Sequence, residues 1–307
     1  MSNKQFDHLA WINAFRAASN AKSGFHELRV DIWKATVEIV NNGGYQLGST
    51  EIKINNDSIP NQTEFYKAPP KLQGNGNKHE TKFSCIEADC LETAALLLKA
   101  ELNPCVLNMA SAHNPGGGVR NGAGAQEENI FRRTNLFRSL YQFVDYAKEY
   151  GVLPSTDRYP LDDKTGGIYS SGITVFKASE NSGYALLTEP YRLSFVSVPA
   201  LNRPELEKKD GTFFIADSFV EIAKEKIRTI LRIAAAHDHK NLVLSAFGCG
   251  AFANPPNHVA LLFKQVFSEE EFKNRFHLVV FSIIDDHNSR KEQNPEGNVL
   301  PFLKVFG

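Results

Sequence analysis

The stretch PCVLNMASAHNPGGGVRNGAGAQEENIFRR, residues 104–133, reads as an apolar strand, a glycine-bearing loop and the start of a helix. PCVLNMA is a short apolar run of strand length, and the pattern from Gln126 to Tyr150 predicts a single long helix. Between them Gly116, Gly117 and Gly118 carry no Cβ, so their backbone amides can approach a ligand closely. A strand that feeds a helix through such a loop is the unit from which α/β folds with largely parallel sheets are built.

The same alternation continues outward. KFSCIEA (82–88), GITVFKA (172–178), LSFVSVPA (193–200), NLVLSAFG (241–248) and FHLVVFSIID (276–285) read as strands. CLETAALLLKA (90–100), Phe219–Ala236 and Asn257–Phe267 read as helices. The strands are nearly continuous apolar runs, which is the pattern of a sheet covered on both faces. Ahead of this core, Phe6, Leu9, Ile12 and Phe15, then Ile32, Trp33, Val37 and Val40, mark two amphipathic helices. Asn41-Asn42-Gly43-Gly44 stops the second, Tyr45–Ile54 reads as one extended element, and a polar, proline-containing loop is expected from Asn55 to Glu80, with a GNGN bias before His79. The expected organisation is an N-terminal helical extension, residues 1–75, packed on a core of residues 76–307.

Thirty-four basic and 35 acidic residues leave a net charge of −1, so no global basic field draws the chain to nucleic acid or an anionic membrane. Sequence-specific nucleic-acid binding is not expected. No uncharged run approaches the roughly 20 residues that cross a bilayer, and no secretory signal stands at the N-terminus, so a cytoplasmic protein is expected; a monomer is also expected. Cys85, Cys90, Cys105 and Cys249 lack CxxC spacing and read as buried thiols. No Asp/His cluster has metal-ligand spacing, so neither metal nor cofactor is expected.

The loop at Gly116 is not a Walker A loop, because no Gly-Lys-Ser/Thr closes it. A second glycine loop, AFGCGAFANPP (246–256), follows NLVLS and weakly matches a dinucleotide-binding pattern at Gly248, Gly250 and Ala253. Pro255 and Pro256 lack amide hydrogens where a Rossmann helix would supply them, which argues against an NAD-dependent oxidoreductase. Two glycine loops at strand C-termini are expected to open on one rim of the sheet, where α/β folds bind ligands.

Glu127 and Glu128 follow the first loop. As neighbours on a helix they diverge by about 100°, so one can perform chemistry while the other holds substrate. Acids in a first turn also stabilise a helix by about 0.3–1 kcal/mol without any function. A carboxylate beside a site for phosphate, however, suits cleavage of an adjoining glycosidic bond, where an acid protonates the leaving oxygen and a base activates water.

These residues closely resemble the microbial-type poly(ADP-ribose) glycohydrolase family, a branch of the macrodomain fold, whose signature is GGG, a short spacer and QEE; here seven residues separate Gly118 from Gln126. The resemblance extends through IEADCLETAALLL, VLNMASAHNPGGG, AAAHDHKNLVLSAFGCGAFANPP and FHLVVFSIIDD, about residues 30–285. It implies a three-layer α/β/α sandwich with a mixed, largely parallel sheet. It implies that Glu128 is the catalytic acid and then base, that Glu127 orients the ribose and that Gln126 supports the loop. Gly116, Gly117 and Gly118 would pack around the terminal ribose and diphosphate, and Gly248, Cys249, Gly250, Ala251 and Phe252 would close over the diphosphate, with Phe252 pressing on the ribose. Asp89 would accept from the adenine amino group, though an Asp there also caps a helix. Asn108 and Asn114 would contact ribose. Ala253 replaces a glycine common in the second loop.

The function implied is hydrolysis of the ribose–ribose bond of ADP-ribose polymers, without metal. Two alternatives use the same pocket: a hydrolase removing single ADP-ribose units from protein or nucleic acid, and a module that binds ADP-ribose without cleaving it.

Overall fold

The computed structural model describes residues 6–54, 56, 58–74, 80–286 and 288–307. The chain begins with helices α1 (His8–Asn20) and α2 (Phe25–Asn41), then strands β1 (Gly44–Leu47), β2 (Thr50–Lys53), β3 (Thr63–Tyr66) and β4 (Lys82–Glu87). Next come α3 (Cys90–Lys99), β5 (Pro104–Met109), α4 (Gln126–Arg133), α5 (Phe137–Leu140), β6 (Gly167–Lys177) and β7 (Leu186–Val198). The chain ends with β8 (Leu206–Lys209), β9 (Thr212–Ile215), α6 (Asp217–Ala236), β10 (Asn241–Leu244), α7 (Pro256–Phe267), β11 (Leu278–Ile283) and α8 (Val299–Phe306).

Seven strands share one sheet in the order β3-β6-β7-β5-β10-β11-β4. The run β7-β5-β10-β11-β4 is parallel throughout. Neighbours β6 and β7 are joined by residues 178–185 alone, too short a link for a crossover, so they are antiparallel and the sheet is mixed. The α/β class expected from the alternating pattern is the one observed.

Contacts group the chain into two compact units. One takes the chain up to Thr63 together with His113–Pro160 and Ser170–Leu193, and the other consists of Glu64–Ala112, Leu161–Tyr169 and Ser194–Gly307. In the second unit β5, β10 and β11 are buried along almost their whole length, as strands covered on both faces must be. Helix α6 lays Ile227, Ile230, Leu231, Ile233 and Ala234 into that core at helical spacing, and α7 adds Phe263, Val266 and Phe267. Pro256 is the first residue of α7, where its missing N–H costs no hydrogen bond.

In the first unit, Trp11 of α1, Ile32 of α2 and Tyr184 form a small buried cluster. Trp33 of α2 lies against Phe131, Phe137, Tyr141 and Tyr150, with ring centroids 5.4–6.2 Å apart. The two N-terminal helices thus join the segment that carries the paired acids.

Three expectations change, and two elements were not anticipated. The helix predicted from Gln126 to Tyr150 ends at Arg133, because Thr134 turns extended (φ −137°, ψ 170°) and bridges Val175 of β6. Its hydroxyl donates to Ile130 O and accepts from Leu136 N, while Asn135 accepts from Thr174 N, so side chains replace the helical ladder. Tyr45–Ile54 is a two-strand hairpin, β1 and β2, turning at Gly48 (φ +62°). The expected loop of 55–80 contains β3, an edge strand of the main sheet, while its Asn75–His79 portion lies outside the described residues. The hairpin of β8 and β9 and the terminal helix α8 had no counterpart in the pattern reading.

Candidate active site

Gly116 (φ +78°) and Gly117 (φ +53°) take left-handed backbone that L side chains rarely adopt. The turn they form is tight: Gly117 N donates to Asn114 O at 2.8 Å and Val119 N to Gly116 O at 3.0 Å. Helix α4 then starts at Gln126, after an extended Ala125 that offers no capping side chain, so the acids of the first turn complement its positive end.

What the bare backbone accommodates is the pair of acids themselves. Gly116 N donates to Glu127 Oε1 at 3.0 Å and Gly118 N to Glu128 Oε1 at 2.8 Å. A Cβ on Gly117 would lie 2.4 Å from Glu128 Oε1 and 3.3 Å from Glu127 Oε2, and one on Gly116 would meet the Phe131 ring at 2.5 Å. The amides expected to face a diphosphate are therefore committed inside the loop, to Asn114 and the two carboxylates. The acids, though they point apart on the helix, both return to the same loop. Both are buried, Glu127 at 4% and Glu128 at 7% exposure. Glu128 Oε2 is buried and has no hydrogen-bond partner among the described residues. One oxygen of Glu128 is fixed and the other is uncommitted.

A polar chain holds this loop from behind, within the same unit. Arg132, four residues after Glu128 and fully buried, donates from Nη1 to Ala123 O at 2.7 Å and from Nε to Tyr184 Oη at 2.7 Å. Tyr184 Oη donates to Glu180 Oε2 at 2.8 Å, and Arg29 of α2 grips Glu180 through two 2.8 Å bonds. Burial opposes the charge on Arg29, yet Glu180 outweighs it and raises the guanidinium's pKa; burial likewise opposes ionisation of Glu180, and Arg29 outweighs it and lowers that pKa. The loop fits this helix closely: a Cβ on Gly124 would strike the Arg29 guanidinium at 2.4 Å, and His26 Nδ1 stands 3.0 Å from Gly122 O. Lys177 is buried beside Thr36, to which its Nζ donates at 2.7 Å, and burial, with Arg132, pulls its pKa down to about 7.

In the second unit the remaining candidates follow the C-terminal ends of parallel strands. Asp89 follows β4 and caps α3, its Oδ1 accepting from Leu91 N and Glu92 N at 3.0 Å. The Gly248–Phe252 turn follows β10, two strands away from β4, a spacing of about 10 Å. Both therefore stand at the C-terminal edge of the parallel strands. Asn254 clasps the turn through bonds to Leu201 O (2.7 Å), Gly248 O (3.0 Å) and Phe252 O (3.3 Å). Gly248 (φ +75°) has no room for a Cβ, which would meet Ala200 and Asn254 at 2.6 Å, and Ala253 takes a left-handed φ of +56° where a glycine would be unstrained. Gly250 is partly exposed, Ala251 is exposed, and Phe252 packs its ring partly against the core.

Two candidates have fully buried side chains. Asn108 is fully buried, its Nδ2 donating to Ser197 Oγ at 3.0 Å between β5 and β7. The Cys249 side chain is also fully buried, its thiol directed at Phe247 O and pushed well above its usual pKa by burial, so only its backbone is available to the turn. Asn114 is exposed and Gln126 half-buried at the start of α4. Pattern reading missed Arg29, Glu180, Tyr184, Arg132 and Asn254. Asn254 lay within the quoted loop and Arg132 stood one helical turn beyond Glu128, but nothing in sequence links Arg29 to residue 180. Among the described residues no group of three His, Cys, Asp or Glu side chains is placed to hold a metal ion, and no helix is long and apolar enough to cross a membrane.

The family model of the microbial-type PARG catalytic domain matches residues 34–178, a span that holds the glycine loop and both acids. The structure of poly(ADP-ribose) glycohydrolase from Thermomonospora curvata bound to the inhibitor ADP-HPD is 30% identical, with a TM-score of 0.69, 90% of this chain and 98% of that chain being covered. The chain belongs to the microbial-type poly(ADP-ribose) glycohydrolase family. A further structure of the Thermomonospora curvata glycohydrolase aligns at a TM-score of 0.71 and 29% identity over 91% of this chain and 99% of that one. The glycohydrolase from Deinococcus radiodurans in complex with ADP-ribose is 22% identical, with a TM-score of 0.61 over 85% of this chain and 98% of that one, and shares the fold. A search of curated proteins gave no match. The Thermomonospora alignment covers 90% of the chain, beyond the span matched by the family model.

Proposed function

We propose that this family member is a poly(ADP-ribose) glycohydrolase that breaks the O-glycosidic bond between riboses and releases ADP-ribose, with Glu128 as acid and then base. The observation that carries the chemistry is the division of the Glu128 carboxylate: Oε1 is held by Gly118 N at 2.8 Å while Oε2 is buried without a partner among the described residues. An oriented carboxyl with one oxygen uncommitted is what proton transfer to and from a reacting group needs.

In the first step the proton on Oε2 passes to the leaving 2′-oxygen as the C1″–O bond breaks, the bonding electron pair going to that oxygen. Positive charge develops on the terminal ribose, next to two carboxylates. Water then adds at C1″ and gives its proton to Oε2, which restores the acid. Glu127, held by Gly116 N, is assigned to a ribose hydroxyl. By the family resemblance, Asp89 is assigned to the adenine amino group, and the Gly248–Phe252 turn, through its backbone and the Phe252 ring, to the diphosphate and ribose.

Incubation with automodified polymer and, separately, with mono-ADP-ribosylated protein, followed by product identification, tests the reading. Free ADP-ribose accumulating from polymer is the expected result. Release from the mono-modified substrate alone would replace it with a mono-ADP-ribosyl hydrolase, and tight ADP-ribose binding without turnover on either would replace it with a binding module.

A further inference from the structure

The loop that carries the glycines and the acids has a single basic residue, Arg120, two positions beyond Gly118. It is exposed, and its guanidinium lies 4.4 Å from the centroid of the Tyr146 ring. A guanidinium stacked on an aromatic face keeps its N–H edge for an anion, and the ring fixes its plane.

The tyrosines form a rigid platform. Tyr146 meets Tyr141 at 5.4 Å and Tyr150 at 6.1 Å, and Tyr150 in turn lies against Trp33 of the aromatic core at 6.0 Å. The platform reaches the glycine loop: the Tyr141 ring lies 5.8 Å from that of Phe131, against which Gly116 packs. Burial chiefly, and with it the charge of Glu127, raises the pKa of Tyr141, Tyr146 and Tyr159. Gly118 binds Glu128 at Oε1, and no more than about 7 Å of backbone separates Gly118 from Arg120.

The acids accept from glycine amides. The chemistry of Arg120 and the tyrosines fits what continues beyond the bond that Glu128 would cut: the next ADP-ribose unit of the polymer, with a base that stacks and a diphosphate that pairs with a cation. We infer that Arg120, with Tyr146 and Tyr150, forms a subsite for the ADP-ribose unit on the leaving side of the scissile bond. The inference rests on the glycohydrolase reading and assigns it a preference: polymer binds better than a single terminal ADP-ribose.

The test compares the full chain with its Arg120→Met and Tyr146→Ala variants, using defined ADP-ribose polymer for kcat and KM and free ADP-ribose for Kd. KM for polymer should rise about 10-fold or more in each, the size of one lost phosphate or stacking contact. Its dependence on salt should flatten by about one ion in Arg120→Met. Kd for free ADP-ribose should move less than twofold, and Tyr146→Phe, which keeps the ring, should retain the wild-type KM. An unchanged polymer KM in both variants, or an equal loss of free ADP-ribose affinity, would overturn the subsite. Failure of the parent reading has a different signature: a wild-type chain that cleaves no polymer, which overturns the subsite as well.

Discussion

Gly117→Ala isolates the claim that the glycine run makes room for the acids. The new Cβ would stand 2.4 Å from Glu128 Oε1 and 3.3 Å from Glu127 Oε2, so Glu128 must retreat by about 1 Å to reach ordinary contact. The backbone at φ +53° adds about 1–2 kcal/mol of strain for an alanine. A misplacement of about 1 Å at a reacting group costs on the order of 10²-fold in rate. The variant should therefore lose about 10²-fold in kcat on ADP-ribose polymer, keep a cooperative thermal transition lowered by several degrees, and bind free ADP-ribose within a few-fold of wild type. Steady-state kinetics with calorimetric titration of ADP-ribose separates these quantities. If kcat survives and ADP-ribose affinity collapses, the glycines serve the diphosphate and the account of the loop is wrong.

Three further outcomes follow from the surrounding structure. Arg29→Met leaves Glu180 charged and half-enclosed, which costs about 1–3 kcal/mol and loosens the Tyr184–Arg132–Ala123 chain; thermal denaturation should show a lower midpoint, and kcat should fall more than KM changes, with Arg29→Lys recovering part of the loss. Lys177 has a folded-state pKa of about 7, below its unfolded value near 10.5, so between those limits the unfolded chain binds the extra proton and stability rises with pH; urea denaturation from pH 7 to 10 should show that slope in wild type and its loss in Lys177→Met. The proposed acid/base cycle runs on Glu128 and water alone, so EDTA should leave the rate unchanged; loss of activity restored by a divalent ion would require a different mechanism.

The strands of the core were legible because β5, β10 and β11 are buried along most of their length, and burial leaves a continuous apolar run that no other element of such length produces. The paired acids were legible as a pair, and the glycines as a place of close approach. What approaches them was not: a glycine pattern records that a Cβ is forbidden, and only coordinates identify Glu128 Oε1 and the Phe131 ring as the atoms in the way. The break after Arg133 escaped for a related reason. Thr134 and Asn135 have ordinary local propensities, and their bonds to Ile130, Leu136 and Thr174 exist only because β6 lies alongside. The Arg29–Glu180 pair joins residues 151 positions apart, and no periodicity connects them. The bond from Asn108 to Ser197 joins residues 89 positions apart and was likewise invisible in the pattern.

Single turnover on defined ADP-ribose polymer, wild type against Glu128→Gln, tests the central claim most directly. The substitution keeps the side chain's size and a carbonyl oxygen to accept from Gly118 N but removes the group that carries the proton. The account predicts a loss of about 10²–10⁴-fold in the cleavage rate with free ADP-ribose still bound and the fold intact. Near wild-type cleavage by a folded Glu128→Gln protein would contradict it.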